Sequence, residues 1–226
     1  MTISIDVTIR SGHRSTPVEQ FVLLGDKAIF LPGRKTLIVS DIHLGKAASF
    51  RARNFFAPEG ITTHDLDRLS QLLASTAASR LLILGDLVHA QDGVTSHIEQ
   101  AFVDFSARQD CQMVLVKGNH DVKVKIPSSW PLDLVEEHFT EDGIIFSHDL
   151  NLQNDLFTLC GHIHPAVVLS GKGRQRERLP CFWLRDKHMI LPSFGVFTGA
   201  STVSPAKGDR VFVVAQGEVV EVKSST

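Results

Sequence analysis

The chain has 226 residues, of which 43% are hydrophobic and 21% charged, and this composition excludes a disordered or fibrous protein. Its net charge of -2 excludes a generally basic nucleic-acid-binding protein, although a local basic patch is compatible with it. No apolar run reaches the roughly 18 to 20 residues that a membrane-spanning helix needs, so no membrane association is expected.

The first half of the chain alternates predicted strands with predicted helices. Strands are predicted at 3–9, 21–25, 27–32, 36–40, 81–85 and 113–118, and a turn at Gly25-Asp26 joins the second and third into a hairpin. Helices are predicted at 63–79 and 95–108, and Thr62 or Thr63 is the expected cap of the first. This alternation predicts a parallel sheet whose ligands bind beyond the carboxyl ends of its strands.

The second half of the chain is rich in short strands. After about residue 130 the helical period disappears, and strands are predicted at 143–148, 156–162, 166–170, 180–184, 188–194, 210–215 and 218–222. No repeat or linker divides the chain, so residues 1–226 are predicted to form a single domain. The two halves together predict an α/β fold of two stacked mixed sheets flanked by helices.

Clusters of polar residues follow the predicted strands or lie at their ends. They are Asp41-Ile42-His43, Gly85-Asp86, Gly118-Asn119-His120-Asp121, Ser147-His148 and Gly161-His162-Ile163-His164. The composition predicts only about 0.01 copies of G-N-H and about 0.04 of G-H-x-H by chance, so their occurrence in this order is informative. A second D-x-H at 186–188 follows no buried strand and is interpreted as a turn.

Carboxylates, imidazoles and an amide oxygen at neighbouring strand ends form the donor set of a site for two divalent ions. The predicted ligands are Asp41, His43, Asp86, Asn119, His148, His162 and His164. Asp86 stands alone at its strand end and is the natural bridge between the ions. Two carboxylates leave such a centre positively charged, which attracts a phosphodiester, and a metal-bridged hydroxide is expected to attack it in line.

Other histidines receive separate predictions. His120 follows Asn119 directly and is expected to face the substrate, stabilise the transition state and protonate the leaving alcohol. Asp121 either orients the ring of His120 or caps a turn, and His89 either supports a metal ligand or is an ordinary loop residue. Surface or capping positions are expected for His13, His64, His97, His138 and His188.

The ordered set D-x-H, G-D, G-N-H-D, H and G-H-x-H resembles the calcineurin-like metallophosphoesterase superfamily across residues 41–164. The resemblance implies a four-layer αββα sandwich. It also implies one metal held by residues matching Asp41, His43, Asp86 and His164, and a second held by those matching Asp86, Asn119, His148 and His162.

Three segments, at 40–60, 179–185 and 191–200, further resemble the bacterial ligase-associated DNA damage response phosphoesterases of the PdeM family. This closer resemblance implies a Mn²⁺-dependent DNA phosphodiesterase or endonuclease that acts in DNA repair beside an ATP-dependent DNA ligase system. The nitrogen and oxygen donors themselves also suit Zn²⁺, Fe²⁺, Co²⁺ or Ni²⁺. The cytoplasm is the expected compartment, because Cys111, Cys160 and Cys181 are widely spaced core candidates without a C-x-x-C.

The substrate itself is not determined by the motifs. The same chemistry suits cyclic nucleotides or a nucleotide-linked lipid pyrophosphate, and a binding module without catalysis is the least favoured alternative. Two sets of cations are either phosphate contacts or solvated surface. The first set is Lys46, Arg51 and Arg53, and the second is the run at 171–178 with Lys172, Arg174, Arg176 and Arg178. Phe182 and Trp183 are predicted to be core residues rather than platforms for bases.

Overall fold

Two β-sheets face each other in the computed structural model, which describes residues 2–9, 18–150, 155–171 and 175–222. In these ranges the first sheet has seven strands in chain order: β1 (Ile3–Thr8), β2 (Val18–Leu24), β3 (Ala28–Leu31), β4 (Thr36–Val39), β5 (Arg80–Leu84), β6 (Gln112–Val116) and β7 (Asp133–Val135). Strands β1 to β4 are antiparallel and β4 to β7 are parallel. The carboxyl ends of β4, β5 and β6 therefore meet at one edge.

Helices follow the strands of the parallel part. They are α1 (Lys46–Ala52), α2 (Ile61–Thr76) and α3 (Ser96–Ser106), and no helix in the described ranges is long and apolar enough to cross a membrane. The predicted cap of α2 is wrong. Gly60 is the N-cap, in a left-handed conformation, and the hydroxyl of Thr62 instead accepts a hydrogen bond of 3.4 Å from the amide of Gly45.

The second sheet is built from the strands of the second half of the chain. Among the described residues these are β8 (His138–Glu141), β9 (Ile144–Ser147), β10 (Phe157–Cys160), β11 (Pro165–Ser170), β12 (Arg176–Arg185), β13 (His188–Ile190), β14 (Ser201–Thr202), β15 (Arg210–Ala215) and β16 (Glu218–Val222). Strand β10 runs parallel to β9 and β13, whereas β12 is antiparallel to β11, β13 and β15. The second sheet is therefore mixed, like the first.

The core lies between the two sheets and continues beneath the helices. Phe21 and Ile38 of the first sheet pack with Phe146 and Phe212 of the second, and all four side chains are buried. On the other face of the first sheet, apolar side chains of α2 and α3, such as Phe102, pack in a second cluster. The predicted sandwich of two mixed sheets flanked by helices is confirmed. Within the described ranges its α-helices all lie between residues 46 and 106.

One difference from the predicted strands shapes the site. The strand predicted over 188–194 ends at Ile190, and the following residues instead cross the ends of other strands. The amide of Phe194 donates to the carbonyl of Ser40 at 2.9 Å, and that of Gly195 donates to the carbonyl of Asp41 at 3.3 Å. This loop is thereby fixed against the first polar cluster.

Candidate metal centre

The polar segments at the ends of β4 and β5 are joined by backbone hydrogen bonds that continue the pairing of these strands. The amide of Asp41 donates to the carbonyl of Gly85 at 3.0 Å, and that of His43 donates to the carbonyl of Asp86 at 2.9 Å. Because the two segments are paired in register, the side chains of Asp41, His43 and Asp86 are held at fixed separations.

The backbone at most of the predicted ligands is left-handed. Positive φ angles occur at Asp41 (55°), His43 (53°), Asp86 (50°), His162 (67°) and His164 (51°). Such a conformation in a residue other than glycine costs on the order of 1–3 kcal/mol, and it persists only where the surrounding structure enforces it. Strained residues of this kind cluster at functional sites, so the geometry favours a functional role for these strand ends.

One group of candidate ligands consists of Asp41, His43 and His164. Oδ1 of Asp41 lies 2.9 Å from Nε2 of His164, and the ring centroids of His43 and His164 are 5.5 Å apart. Burial raises the pKa of the Asp41 carboxyl, but His164, His148 and Ser40 together outweigh this effect and lower the pKa below its ordinary value. The group combines one charged oxygen with two imidazoles, which is a suitable donor set for a divalent transition metal.

A second group consists of Asp86, His148 and His162, with Asn119 beside it. Nε2 of His148 lies 3.1 Å from Oδ1 of Asn119, 3.1 Å from Nδ1 of His162 and 3.5 Å from Oδ1 of Asp86. Four potential ligand atoms therefore approach one another closely. Their donor set again combines imidazole nitrogens with carboxylate and amide oxygens.

Asp86 lies between the two groups. Its Oδ1 is 3.5 Å from Nε2 of His148 in the second group, and its Oδ2 is 3.7 Å from Nε2 of His43 in the first. The backbone amide of His162 links the groups a second time by donating to Oδ2 of Asp41 at 3.1 Å. The structure thus brings the seven residues of the predicted ligand set together in two adjoining groups.

The donor atoms of the first group are suited to an ion. Among the described residues, both ring nitrogens of His43 are buried without a hydrogen-bond partner. Oδ1 of Asp41 and Nε2 of His164 are also buried, and they lie 2.9 Å from each other. Burial lowers the pKa of His43 to about 3, so its imidazole is neutral and its lone pair is free to coordinate. Buried polar atoms without partners are costly, and a divalent ion would satisfy them.

Backbone carbonyls fix the orientation of two of the imidazoles. Nδ1 of His148 donates to the carbonyl of Leu84 at 2.9 Å, and Nδ1 of His164 donates to the carbonyl of Gly199 at 3.1 Å. When the rings are neutral, these bonds leave Nε2 of each ring as the atom with a lone pair, which is the form that binds a metal. These carbonyls are not predictable from the sequence, since every residue type offers one.

The glycine of the G-N-H motif makes room for a candidate ligand. A Cβ atom at Gly118 would overlap Oδ1 of Asp86. The amide of His120, two residues later, donates to the same oxygen at 2.9 Å. The end of β6 therefore packs directly against the carboxylate that lies between the two groups, and a side chain at position 118 would displace it.

His120 lies at the edge of the centre with a fixed ring. Its Nδ1 donates to the carbonyl of His89 at 2.6 Å, and its Nε2 lies 3.9 Å from Oδ2 of Asp86. The ring of His89 stacks on that of His120 with centroids 5.1 Å apart, and burial lowers the pKa of His89 to about 4. His89 thus supports His120 directly, through both its carbonyl and its ring.

Asp121 holds the loops of the centre rather than the ring of His120. Its buried carboxylate accepts hydrogen bonds from the amides of Leu87 at 3.3 Å, Val88 at 3.0 Å and Gly118 at 3.0 Å. The alternative in which Asp121 caps a turn is therefore favoured. The carboxylate joins the segment that follows β5 to the one that follows β6.

The three cations after the first polar cluster have different surroundings. Arg53 pairs with Asp92 through Nε at 3.0 Å and Nη2 at 2.8 Å, and Arg51 donates to the carbonyls of residues 57 and 58. Lys46, at the start of α1, interacts electrostatically with Asp86, although burial lowers the pKa of its ammonium. Lys46 is therefore the cation of the three whose charge acts on a candidate ligand.

The basic run at 171–178 lies partly in a β-hairpin. Its cations Lys172 and Arg174 lie outside the described residues, whereas Arg176 and Arg178 belong to β12, which pairs with β11. Nη1 of Arg178 donates to the carbonyl of Ala200 at 3.4 Å. Contact of this run with DNA stays a prediction.

The remaining predicted residues have ordinary structural positions. Phe182 and Trp183 are buried core residues, as are Cys160 and Cys181, whereas Cys111 is half-buried. The histidines at 64, 97 and 138 are exposed, and His188 is half-buried at the start of β13. His13 lies outside the described residues.

Comparison with known proteins agrees with this geometry. The sequence profile of the calcineurin-like phosphoesterase family matches residues 34–213, which include every candidate ligand. Among curated protein sequences none matches the chain.

Among solved structures, the nuclease MPE of Pseudomonas putida is 32% identical, with a TM-score of 0.80 over 97% of this chain and 100% of the other. YfcE, a phosphoesterase of E. coli, is 15% identical, with a TM-score of 0.42 over 84% of this chain and 99% of the other. The profile match covers most of the chain and the first structure nearly all of it. The chain therefore belongs to the calcineurin-like phosphoesterase family and is a metal-dependent phosphoesterase.

Proposed function

We propose that this protein is a phosphodiesterase with two metal ions that cleaves the DNA backbone. One ion would be held by Asp41, His43, Asp86 and His164, and the other by Asp86, Asn119, His148 and His162. The position of Asp86 carries this proposal, because its two oxygens lie 3.5 Å and 3.7 Å from imidazole nitrogens of different groups. When bound, two such ions lower the pKa of water and so supply a nucleophile near neutral pH.

The chain's own residues supply the rest of the chemistry. In its imidazolium form, His120 would protonate the leaving oxygen from Nε2 and become a neutral ring, because its Nδ1–H stays bonded to the carbonyl of His89 at 2.6 Å. Its side chain is about a third exposed, which lets a substrate reach it. Lys46 lies beside the centre and attracts the phosphate by its charge.

Two observations support DNA as the substrate. The first is the similarity to the nuclease of Pseudomonas putida, which covers 97% of this chain. The second is the resemblance of the segments 40–60, 179–185 and 191–200 to ligase-associated phosphoesterases. The same resemblance supports a role in DNA repair beside an ATP-dependent ligase, with Mn²⁺ as the metal. Co-purification with such a ligase would test the partner.

The experiment compares substrates with the purified protein before and after removal of metal. Single-stranded, nicked and duplex DNA, cyclic nucleotides and bis-p-nitrophenyl phosphate are offered to protein loaded with Mn²⁺, Zn²⁺, Fe²⁺, Co²⁺ or Ni²⁺. We expect chelation to abolish hydrolysis, Mn²⁺ to restore it, and DNA to be cleaved in preference to cyclic nucleotides. Full activity after exhaustive metal removal would contradict the mechanism, and faster turnover of cyclic nucleotides would contradict the substrate.

A further inference from the structure

Three phenylalanine rings form a continuous surface next to the metal centre. Phe50 lies in α1, Phe55 in the loop that follows it, and Phe197 in the loop after β13. The ring centroid of Phe50 is 5.7 Å from that of Phe197 and 6.1 Å from that of Phe55. We call these three residues the aromatic face. Phe55 is 64% exposed, although a side chain of its size is usually buried.

The aromatic face adjoins the rings of the candidate active site. The centroid of Phe50 is 6.2 Å from that of His89, whose ring in turn stacks on His120 at 5.1 Å. His89 is also 5.5 Å from His43 of the first group. A group bound on the aromatic face is therefore separated by one ring, that of His89, from both the proposed proton donor His120 and the candidate ligand His43.

The side of the aromatic face in α1 and the following loop is held in a fixed conformation. Ser49 directly precedes Phe50 and Arg53 lies three residues after it, and both donate to the carboxylate of Asp92, at 2.7 Å and 2.8 Å. The amide of Phe55 donates to the carbonyl of Phe50 at 3.0 Å. These contacts hold the half-buried ring of Phe50 and the exposed ring of Phe55 in place before a ligand binds, which lowers the entropic cost of binding.

The loop that carries Phe197 is fixed as well. The buried carboxylate of Asp65 accepts a hydrogen bond of 3.3 Å from the amide of Val196, and it pairs with Arg68 at 3.0 Å. Gly195 is bonded to the carbonyl of Asp41, so this loop is tied to the first group of candidate ligands. The position of Phe197 is therefore set relative to the centre itself.

We infer that the aromatic face binds an unpaired nucleobase of the substrate next to the scissile phosphate. This inference rests on the proposed function and specifies its substrate further. A nucleobase presents a planar π surface that stacks on aromatic side chains whatever its identity, and such stacking strengthens binding of single strands. Lys46 lies one helical turn before Phe50 in α1, so a cation for phosphate and a ring for the base stand side by side.

The test uses a single-stranded dT oligonucleotide and one of equal length made of abasic residues, with Mn²⁺-loaded protein. We expect the wild-type kcat/KM to be higher for the dT oligonucleotide. Phe55→Ala should raise the KM for dT about 5- to 10-fold with little change in kcat, and it should leave the abasic substrate unaffected. The exposure of Phe55 makes misfolding of this variant a minor concern.

Phe56→Ala is the matched control. Phe56 is 95% exposed, and no ring contact joins it to the aromatic face among the described residues. We expect it to behave as wild type with both oligonucleotides. The inference would be overturned if the two variants had equal effects, or if the wild-type protein cleaved the two oligonucleotides equally. It would also be overturned if Phe55→Ala converted a dimer to a monomer without changing the substrate preference.

A binding measurement separates this inference from the proposed function. Fluorescence anisotropy of the labelled dT oligonucleotide with chelated protein reports binding without turnover. Weaker binding by Phe55→Ala but not by Phe56→Ala supports the aromatic face even if no hydrolysis is found. If instead the wild-type protein cleaves DNA and both variants bind equally, the inference fails while the proposed function stands.

Discussion

Gly161 lies so close to the carboxylate of Asp41 that a Cβ atom at position 161 would be 2.5 Å from Oδ2 of Asp41. It would also be 2.6 Å from Cβ of Ser40, and both are shorter than ordinary contacts. The first residue of the G-H-x-H segment is therefore glycine because the end of β4 lies against it. The histidines that follow reach the centre only while this contact is preserved.

Gly161→Ala should disrupt the centre without unfolding the protein. The added methyl group displaces Asp41 or moves the segment that carries His162 and His164, so we expect metal affinity and activity to fall about 10- to 100-fold. Metal titration by calorimetry and hydrolysis of bis-p-nitrophenyl phosphate measure these losses. Gly33→Ala is the control, because a Cβ there meets only Glu19 Oε1 at 3.5 Å. Unchanged metal affinity in Gly161→Ala would contradict the argument.

Asp86→Asn should remove more metal than Asp41→Asn. Asp86 adjoins both groups of candidate ligands, whereas Asp41 belongs to one, so the first variant should lose both ions and the second should retain one. Metal content per protein after desalting, measured by mass spectrometry, gives the stoichiometry. If Asp41→Asn lost more metal than Asp86→Asn, Asp86 would be excluded as the shared ligand.

His120→Asn should retain metal and lose rate. Because His120 is proposed to protonate the leaving oxygen, kcat should fall by about 10² or more for DNA, whose sugar oxygen is a poor leaving group unless it is protonated. The fall should be smaller for bis-p-nitrophenyl phosphate, whose phenolate leaves without protonation. His97→Asn, at an exposed histidine in α3, is the control. Loss of metal from His120→Asn would instead make this residue a ligand.

Asp121→Ala should destabilise the protein. The change leaves the amides of Leu87, Val88 and Gly118 without their acceptor, and each buried unpaired amide costs about 1–3 kcal/mol. Urea unfolding measures the loss, which we expect to be about 3 kcal/mol or more, and Asp67→Asn on the exposed surface of α2 is the control. Normal stability combined with an altered dependence of rate on the leaving group would instead indicate that Asp121 orients the ring of His120.

Much of the fold follows from sequence patterns, and the elements that are missed lack such a pattern. Strands β15 and β16 have the predicted bounds, because their apolar residues lie on either side of a turn. Strands β7 and β8 are not predicted, because each lies at the edge of its sheet and is largely exposed. Helix α1 is also missed, since its seven residues are too few to show a helical period.

The candidate ligands are predictable because their side chains form short motifs at strand ends. The groups that orient them are not, because the carbonyls of Leu84, His89 and Gly199 belong to the backbone and carry no sequence signature. The function of Asp121 is likewise decided by three amides that only the folded chain brings together. The types of the site residues can be predicted from the sequence, but their hydrogen-bond partners depend on the tertiary structure.

The left-handed backbone at Asp41, His43, Asp86, His162 and His164 limits how this centre can be transplanted. A designer who grafted these side chains onto straight strand ends of another scaffold would reproduce the donor atoms but not their directions. The sharp turns and the loops that enforce them would have to be copied as well. Engineering this chemistry elsewhere is thus a problem of backbone geometry before it is one of residue choice.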